Sequence, residues 1–321
     1  MPQRSDIPTE PGATRSPLPS LFLFPGMGGY DPEFIRLGSF CEAEVQPVAV
    51  AYPHWTVLFH KPGFDLDALV GAAVAQIVAE ASPGPVLLAG YSFGGLIAFA
   101  AAARLRELGS PVGFLGLLDI EARPGNDDAT GAIRPPMTRG QELSGFLAAL
   151  RRGDGAGRLA YVLSRRLISP RWRPLLRLWA GLPRRRRPSP FTLYLDRDLL
   201  FWHLRPLLRQ WACLRETLPK SDARTFLFRT VQHADGLSAD LDWAPLCPGL
   251  SVVRLPGTHL SLVRMFLPQL GAAFRQAIVE TLALPGTLRM RIAPQQSPAW
   301  RHPPDRYDEQ SAAASQASAR S

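Results

Sequence analysis

The chain has 321 residues, of which 46% are hydrophobic and 20% are charged, a composition typical of a globular protein with a buried core. It contains no run of 18 apolar residues, and its polar, proline-rich N-terminus lacks the apolar stretch of a secretory signal, so we expect neither a membrane span nor export. The net charge of +9 is regional, because residues 121–225 hold 21 Lys and Arg against 9 Asp and Glu, and no nucleic-acid-binding motif accompanies it.

The cysteines and the two ends of the chain bound the compartment and the folded region. Three cysteines (Cys41, Cys213 and Cys247) lack the spacing of a disulfide framework or of a structural zinc site, so we expect a reducing cytoplasm. The ends, residues 1–19 and 284–321, are rich in Pro, Ser, Gln and Ala with little apolar periodicity. We therefore predict two disordered tails around one folded domain at residues 20–283.

Short apolar runs bounded by Pro or Gly predict strands that are buried on both faces, as in a parallel sheet. In chain order they are residues 21–24, 48–52, 86–91, 112–119, 225–231 and 250–255. Stretches with helical spacing lie between and after these runs, at residues 64–81, 94–109 and 259–283. This alternation of strand and helix predicts an α/β fold with a mostly parallel, doubly wound sheet.

Residues 120–224 interrupt the alternation. They contain no strand pattern, but they hold amphipathic stretches separated by Pro and Gly. A segment of this length is too long for a bare loop, so we predict a helical lid inserted between two strands of the sheet. The run Arg184–Arg187, flanked by prolines, is either a solvated loop or part of a surface for an acidic partner.

The segment Gly90-Tyr91-Ser92-Phe93-Gly94-Gly95 carries the clearest chemical signal. It contains a GxSxG pentapeptide that follows a predicted strand directly and precedes a predicted helix, which is the context of a nucleophile elbow. Small residues are needed on both sides of the serine because the turn is tight and strained. A simple glycine-rich turn would also explain the glycines, but the strand and helix around them favour Ser92 as a nucleophile.

A serine nucleophile needs a base, and in this fold the histidine comes last in the chain. His259 follows the last predicted strand and precedes the last predicted helix, so it is the best candidate base. His233, which follows the strand at residues 225–231, is the competitor, although a structural role fits it better. The remaining histidines precede the elbow, fall in the lid or lie in the C-terminal tail, and they are His54, His60, His203 and His302.

The acid that orients the base has two possible locations. Asp119 ends the strand after the elbow helix, where a buried ionisable group is costly unless it is paired, and this cost favours a functional role. The later alternatives are Asp235, Asp240 and Asp242. Of these, Asp240 also fits the N-cap of a short helix at residues 242–246, and Asp235 lies in a turn-like Asp-Gly pair.

The oxyanion of the reaction needs two backbone N–H donors. One is expected from Phe93, the residue after the nucleophile, and the other from the loop at residues 25–29 after the first strand, where Met27 is the best candidate. The glycines of this loop do not form a phosphate loop or a dinucleotide-binding motif, so a nucleotide site is not expected.

These motifs resemble those of the thioesterase domains of nonribosomal peptide and polyketide synthases and of their free-standing relatives. The resemblance covers about residues 20–283 and rests on FPGMGG, GYSFGG, LLDIEARP, TFLFRT, DLDWAPL and PGTHLSL. It implies an α/β-hydrolase fold with a helical lid and an acid after the strand that follows the elbow helix, which supports Asp119. It also implies hydrolysis or cyclisation of acyl or peptidyl chains that a carrier protein holds as phosphopantetheine thioesters. Thr258 stands where the family often has an acidic or amide residue.

The expected function is therefore that of a serine thioesterase with Ser92 as nucleophile, His259 as base and Asp119 as orienting acid, and with no need for a metal or a cofactor. Because no carrier or synthase sequence precedes residue 20, we expect a free-standing enzyme that meets its carrier protein in trans. The alternatives are a lipase-like carboxylesterase and a catalytically silent carrier-binding protein. The motifs do not choose between proofreading of stalled carriers and product release.

Overall fold

Parallel strands form a central sheet in the computed structural model of the chain, which describes residues 17–29, 31–61, 63–110, 112–124, 155–181, 190–231 and 237–284. The strands are β1 (Ser20–Phe24), β2 (Gln46–Ala49), β3 (Val86–Tyr91), β4 (Val112–Leu118), β5 (Arg224–Thr230) and β6 (Ser251–Leu255). Several predicted features lie outside the described residues, namely most of the two tails, Arg184–Arg187, His233, Asp235 and His302.

The strand order is β2-β1-β3-β4-β5-β6, and every neighbouring pair is parallel. This confirms the predicted sheet. The prediction of burial on both faces holds for β1, β3 and β4 but is wrong for the two edge strands, whose residues are largely exposed or half-buried. One side of an edge strand has no neighbour, so its residues reach water. Strand β2 also lies earlier than predicted and contains Pro47, which an edge strand tolerates because no partner needs its missing N–H.

Helices cover both faces of the sheet. They are α1 (Pro32–Ile35), α2 (Trp55–His60), α3 (Leu66–Glu80), α4 (Phe93–Glu107), α5 (Gly155–Leu167), α6 (Arg173–Gly181), α7 (Pro190–Leu204), α8 (Leu207–Thr217), α9 (His259–Arg264) and α10 (Leu267–Leu282). Residues alternate between two cores along β1, since Phe22 and Phe24 pack in one core while Leu21 and Leu23 pack in the other. Helices α3 and α4 cover the first core, and α1 and α10 cover the second.

The predicted helical stretch at residues 259–283 is wrong in one respect, because it forms two helices, α9 and α10. Pro268 lies at the start of α10, where a missing N–H is harmless. Inside a continuous helix the same proline would remove a hydrogen bond and clash with the preceding turn. The break at Met265 and Phe266 follows from this, and it leaves α9 as a short helix that begins at His259.

The described part of the segment between β4 and β5 holds four helices, α5 to α8, and no strand. Helices α5 and α7 pack together, with Trp202 Nε1 donating to Ser164 Oγ at 3.2 Å. Helix α8 instead packs on the sheet domain, since buried Trp211 donates through Nε1 to the Ala122 carbonyl at 2.9 Å. The exact bounds of the domain and of the insertion remain a prediction. Of the helices described, none is long and apolar enough to cross a membrane.

Candidate active site

Ser92 lies at a tight turn between β3 and α4, at the carboxyl end of the sheet. Its backbone has φ 53° and ψ −130°, a conformation that L-residues rarely adopt. Its N–H donates to the Leu118 carbonyl of the neighbouring strand at 3.0 Å, which holds the turn in place. A side chain at Gly90 would overlap the Gly94 backbone, and one at Gly94 would overlap the Phe24 carbonyl. The glycines of the motif are therefore required by close backbone packing around the serine.

Asp119 lies directly after β4, one strand over from the elbow. Its side chain is completely buried, and its backbone has a positive φ of 50°. Its Oδ1 accepts hydrogen bonds from the Thr230 N–H at 2.7 Å and the Thr230 hydroxyl at 3.0 Å. Its Oδ2 accepts from His259 Nδ1 at 3.0 Å. A buried carboxylate needs such donors, and here they fix its orientation toward the histidine.

His259 is the first residue of α9. The preceding Thr258 caps this helix, because its side chain accepts from the Ser261 N–H while the Ser261 side chain bonds the Thr258 backbone. Thr258 thus stabilises the turn that presents the histidine. Since a carboxylate only accepts hydrogen bonds, the contact with Asp119 assigns the proton to Nδ1 and leaves Nε2 as the basic nitrogen.

Tyr91 holds His259 from a second side. The two rings are stacked with centroids 4.9 Å apart and planes 18° apart, and the Tyr91 hydroxyl donates to the His259 carbonyl at 2.7 Å. Burial raises the pKa of Tyr91 well above its ordinary value, so the hydroxyl keeps the proton it donates. Because Tyr91 directly precedes Ser92, the stack holds the histidine beside the Ser92 turn. No sequence pattern pairs these two residues, and the sequence reasoning did not single out Tyr91.

The segments expected to form the oxyanion hole flank Ser92. Phe93 begins α4 and is buried, and Met27 is buried in a turn closed by a hydrogen bond from the Gly29 N–H to the Gly26 carbonyl at 2.9 Å. A Cβ placed on Gly26 would lie 3.8 Å from the Ser92 Cβ, so the loop that contains Met27 packs against Ser92. That Met27 and Phe93 donate to an oxyanion remains a prediction.

The alternative acids in the late loop make local contacts. Asp240 accepts from the Asp242 and Ala244 N–H groups at 3.3 and 3.0 Å, and Asp242 Oδ1 accepts from the Ser238 hydroxyl at 2.9 Å. The short helix predicted at residues 242–246 is wrong, because this segment is a series of turns. Asp242 has a φ of 63°, which a right-handed helix does not allow.

Other histidines lie where the lid meets the sheet domain. His54 caps α2, and its Nε2 lies 3.6 Å from Asp196 Oδ2 on α7. His203 on α7 forms a hydrogen bond through Nδ1 to the Leu199 carbonyl at 2.7 Å and lies beside Trp55. These contacts give both histidines structural roles. In the described part of the chain, no group of three or more His, Cys, Asp or Glu side chains is arranged to hold a metal ion.

The lid helix α7 reaches the loop at residues 25–29, where one oxyanion donor is expected. A Cβ on Gly28 would meet the Arg197 side chain at 2.9 Å, and one on Gly29 would overlap Leu200. Gly29 also has a φ of 71°, a second reason for glycine at this position. The insertion therefore covers one wall of the site, and the glycines of the FPGMGG segment let the lid approach it closely.

Comparison with known proteins gives a family match over part of the chain and a shared fold. Residues 19–167 match the family of the thioesterase domain. Over 136 residues the chain is 30% identical to enterobactin synthase component F of Escherichia coli (strain K12), a match that covers 41% of this chain and 10% of that protein. The chain thus spans about a tenth of the length of this relative.

Solved structures of thioesterase domains share the fold. The Vlm2 thioesterase domain bound with a dodecadepsipeptide is 22% identical with a TM-score of 0.51, and the match covers 82% of this chain and 94% of that one. The NocB thioesterase domain, in a covalent complex with a fluorophosphonate nocardicin G analog, is 21% identical with a TM-score of 0.53, and the match covers 82% and 96%. These likenesses confirm the predicted fold class.

Proposed function

We propose that this chain, whose residues 19–167 match the family of the thioesterase domain, is a serine thioesterase acting on acyl or peptidyl chains carried as thioesters on phosphopantetheine. The observation that carries the proposal is the hydrogen bond between His259 Nδ1 and Asp119 Oδ2, held beside the Ser92 elbow by Tyr91. In this proposal His259 is the base, Asp119 is the orienting acid and Ser92 is the nucleophile that acyl transfer requires.

In the first half of the proposed reaction, His259 Nε2 takes the proton of the Ser92 hydroxyl as its oxygen attacks the thioester carbonyl. The tetrahedral intermediate places its negative oxygen on the N–H groups of Met27 and Phe93. The carbon–sulfur bond then breaks, and the protonated histidine returns the proton to the departing sulfur. The products of this half are the acyl-enzyme on Ser92 and the free carrier thiol.

In the second half, His259 takes a proton from water, and the resulting hydroxide attacks the acyl-enzyme. The carbon–oxygen bond to Ser92 breaks, the serine regains its proton, and a carboxylic acid leaves. An internal nucleophile of the chain in place of water would give release by cyclisation. Throughout, buried Asp119 stays ionised, because it receives three hydrogen bonds, and it stabilises the protonated imidazole. No metal or organic cofactor has a role in these steps.

An acyl or peptidyl carrier protein, met in trans, is the partner we propose. The support comes from charge, since residues 155–181 of the lid contain six arginines and no aspartate or glutamate. Leu175 and Leu178 of α6 are exposed, and they lie on either side of Arg177 in the sequence. A partner with an acidic, partly apolar surface fits such a face, because arginine pairs with carboxylate and phosphate.

Free thiols at Cys41, Cys213 and Cys247 favour the cytoplasm as the compartment.

A comparison of three substrates tests the proposed function. Hydrolysis rates are measured for an acyl chain on a phosphopantetheinylated carrier protein, for the same acyl chain on a small thiol, and for its nitrophenyl ester, with Ser92→Ala as the blank. We expect the carrier-bound thioester to give the highest kcat/KM. Preference for the nitrophenyl ester would instead indicate a carboxylesterase, and carrier binding without turnover of any substrate would indicate a non-catalytic protein.

A further inference from the structure

The peptide unit of Pro25 and Gly26 contacts one side chain at each of its ends. The Tyr52 hydroxyl donates to the Pro25 carbonyl at 2.8 Å, and this contact is buried. At the other end, a Cβ on Gly26 would lie 3.2 Å from Asp31 Oδ2, so the Asp31 carboxylate is packed against this residue. Burial raises the pKa of that carboxyl, and the Gly26 backbone lowers it in part. Two side chains therefore contact this peptide unit, one at each end.

Asp31 makes this contact in place of the one that its position favours. It is the N-cap of α1, where an aspartate normally accepts a hydrogen bond from its own helix, yet its side chain makes no such bond. Asp65, the N-cap of α3, does cap its helix and accepts from the Ala68 N–H at 2.8 Å. The difference indicates that the Asp31 carboxylate serves the loop at Gly26 and not the helix that follows it.

Burial shifts the pKa of both Asp31 and Tyr52. It raises the pKa of Asp31 to about 6, with a further increase from the Glu33 charge, while Arg264 and Arg197 lower it in part. Burial raises the pKa of Tyr52 well above its ordinary value, and the Asp31 charge adds to this effect. Polar groups in such surroundings are costly unless they are hydrogen-bonded. The Tyr52 hydroxyl has its partner in the Pro25 carbonyl, and the Asp31 carboxylate packs against Gly26 of the same peptide unit.

The held peptide immediately precedes the expected oxyanion donor. Met27 is the next residue, and the turn that contains it is closed by the hydrogen bond from the Gly29 N–H to the Gly26 carbonyl at 2.9 Å. The Tyr52 ring also packs edge-on against Phe93, with centroids 6.3 Å apart and planes 80° apart. Tyr52 thus touches both segments that would supply donors to the oxyanion.

We propose that Asp31 and Tyr52 are positioning residues that clamp the Pro25–Gly26 peptide and thereby aim the Met27 N–H at the oxyanion. The inference rests on the proposed acyl-transfer function. Neither residue touches the reacting atoms in this account. They act through the loop, and preorganised donors stabilise the transition state more than the bound substrate. Loss of the clamp is therefore expected to lower kcat while KM changes little.

The test uses three variants of the full chain, Tyr52→Phe, Asp31→Ala and Asp31→Asn, with a small acyl thioester as substrate. Loss of an oxyanion donor costs about 10²-fold to 10³-fold, so misaiming one should lower kcat by about 10-fold in Tyr52→Phe and Asp31→Ala. Asp31→Asn keeps a side chain of the same size with an oxygen beside Gly26, and it should recover most of the loss. The rate of fluorophosphonate labelling at Ser92 should fall in the same order, because its adduct places an oxygen in the same hole.

Two control variants separate a change in the orientation of the Met27 N–H from a loss of folding. Asp65→Ala removes a true helix cap, and Tyr161→Phe changes an exposed tyrosine, and both should keep wild-type kcat. Thermal unfolding of every variant identifies losses that come from misfolding. Unchanged kcat, a change in KM alone, or an Asp31→Asn variant as slow as Asp31→Ala would overturn the clamp. If the wild type hydrolyses no thioester, the proposed function fails, whereas the labelling rates still test the clamp.

Discussion

His259 Nδ1 and Asp119 Oδ2 lie 3.0 Å apart although 140 residues separate them in the chain. The contact is possible because β4 ends at Leu118 beside β5, whose last residue, Thr230, holds the other carboxylate oxygen. The charged side chain is therefore oriented by the sheet itself, and the histidine is delivered by the helix that follows β6. Both partners sit on rigid elements, which is how a precise hydrogen bond is maintained.

Replacement of Asp119 by asparagine should reduce kcat/KM by about 10³-fold to 10⁴-fold, because an amide no longer fixes the imidazole tautomer or stabilises its positive charge. The matched control is Asp240→Asn, which changes a half-buried carboxylate in the late loop and should leave turnover close to wild type. Steady-state kinetics on an acyl thioester decide between them. A larger loss in the Asp240 variant would move the acid to the late loop.

The stack of Tyr91 on His259 predicts two graded effects. Tyr91→Phe keeps the ring and loses one hydrogen bond, so we expect a loss of about 1 kcal/mol in the free energy of unfolding and a reduction of a few-fold in kcat. Tyr91→Leu also loses the stack, so its kcat should fall further, by about 10-fold or more. Chemical denaturation and turnover measure the two quantities separately. A leucine variant with wild-type turnover would mean that the stack does not position the base.

Glycine replacements should have opposite effects at two positions. Gly94→Ala forces a Cβ into the Phe24 carbonyl, so we expect the elbow to distort and the variant to lose turnover or fail to fold. Gly71 lies inside α3 with open space around its Cβ position, so Gly71→Ala should stabilise the protein by about 0.5 to 1 kcal/mol. Thermal unfolding of both variants checks the pair. Equal stability of the two would contradict the packing described for the elbow.

The Asp31 pKa of about 6 predicts a dependence of stability on pH. The folded state binds the Asp31 proton more tightly than the unfolded chain, whose carboxyl titrates near 3.8, so the protein should lose stability as pH rises from about 4 to above 6. The loss is on the order of 1 kcal/mol once solvent screening is considered. Asp31→Asn should remove it, so the variant should gain stability over the wild type as pH rises. A difference in stability between Asp31→Asn and the wild type that stays constant with pH would argue against the raised pKa.

The elements with local signals were predictable from the sequence. Ser92 was found because strand, glycine turn and helix are adjacent in the chain, and Asp119 because a charged residue ended an apolar run. The positions that sequence reasoning missed, such as Tyr91, Tyr52 and Asp31, depend on contacts across the fold. Tyr52, for example, bonds Pro25 from 27 residues away, and no pattern of spacing records that contact.

The ends of strands and helices were predicted less well from the sequence than the elements themselves. Strand β2 was placed too late because its apolar run extends past the strand, while Pro47 and exposed residues form the actual edge. The break between α9 and α10 was missed because the apolar spacing continues through it, although Pro268 carried the signal. Periodicity reports which face of an element is buried, but backbone chemistry decides where the element begins and ends.

The most direct test of the central claim is mass spectrometry of the protein after reaction with a fluorophosphonate, combined with thioester turnover of Ser92→Ala. We predict one adduct per chain, located on the peptide that contains Ser92, no adduct in the alanine variant, and a loss in kcat of about 10³-fold to 10⁶-fold with the fold preserved. An alanine variant that keeps wild-type thioester turnover would contradict the assignment of Ser92 as the nucleophile.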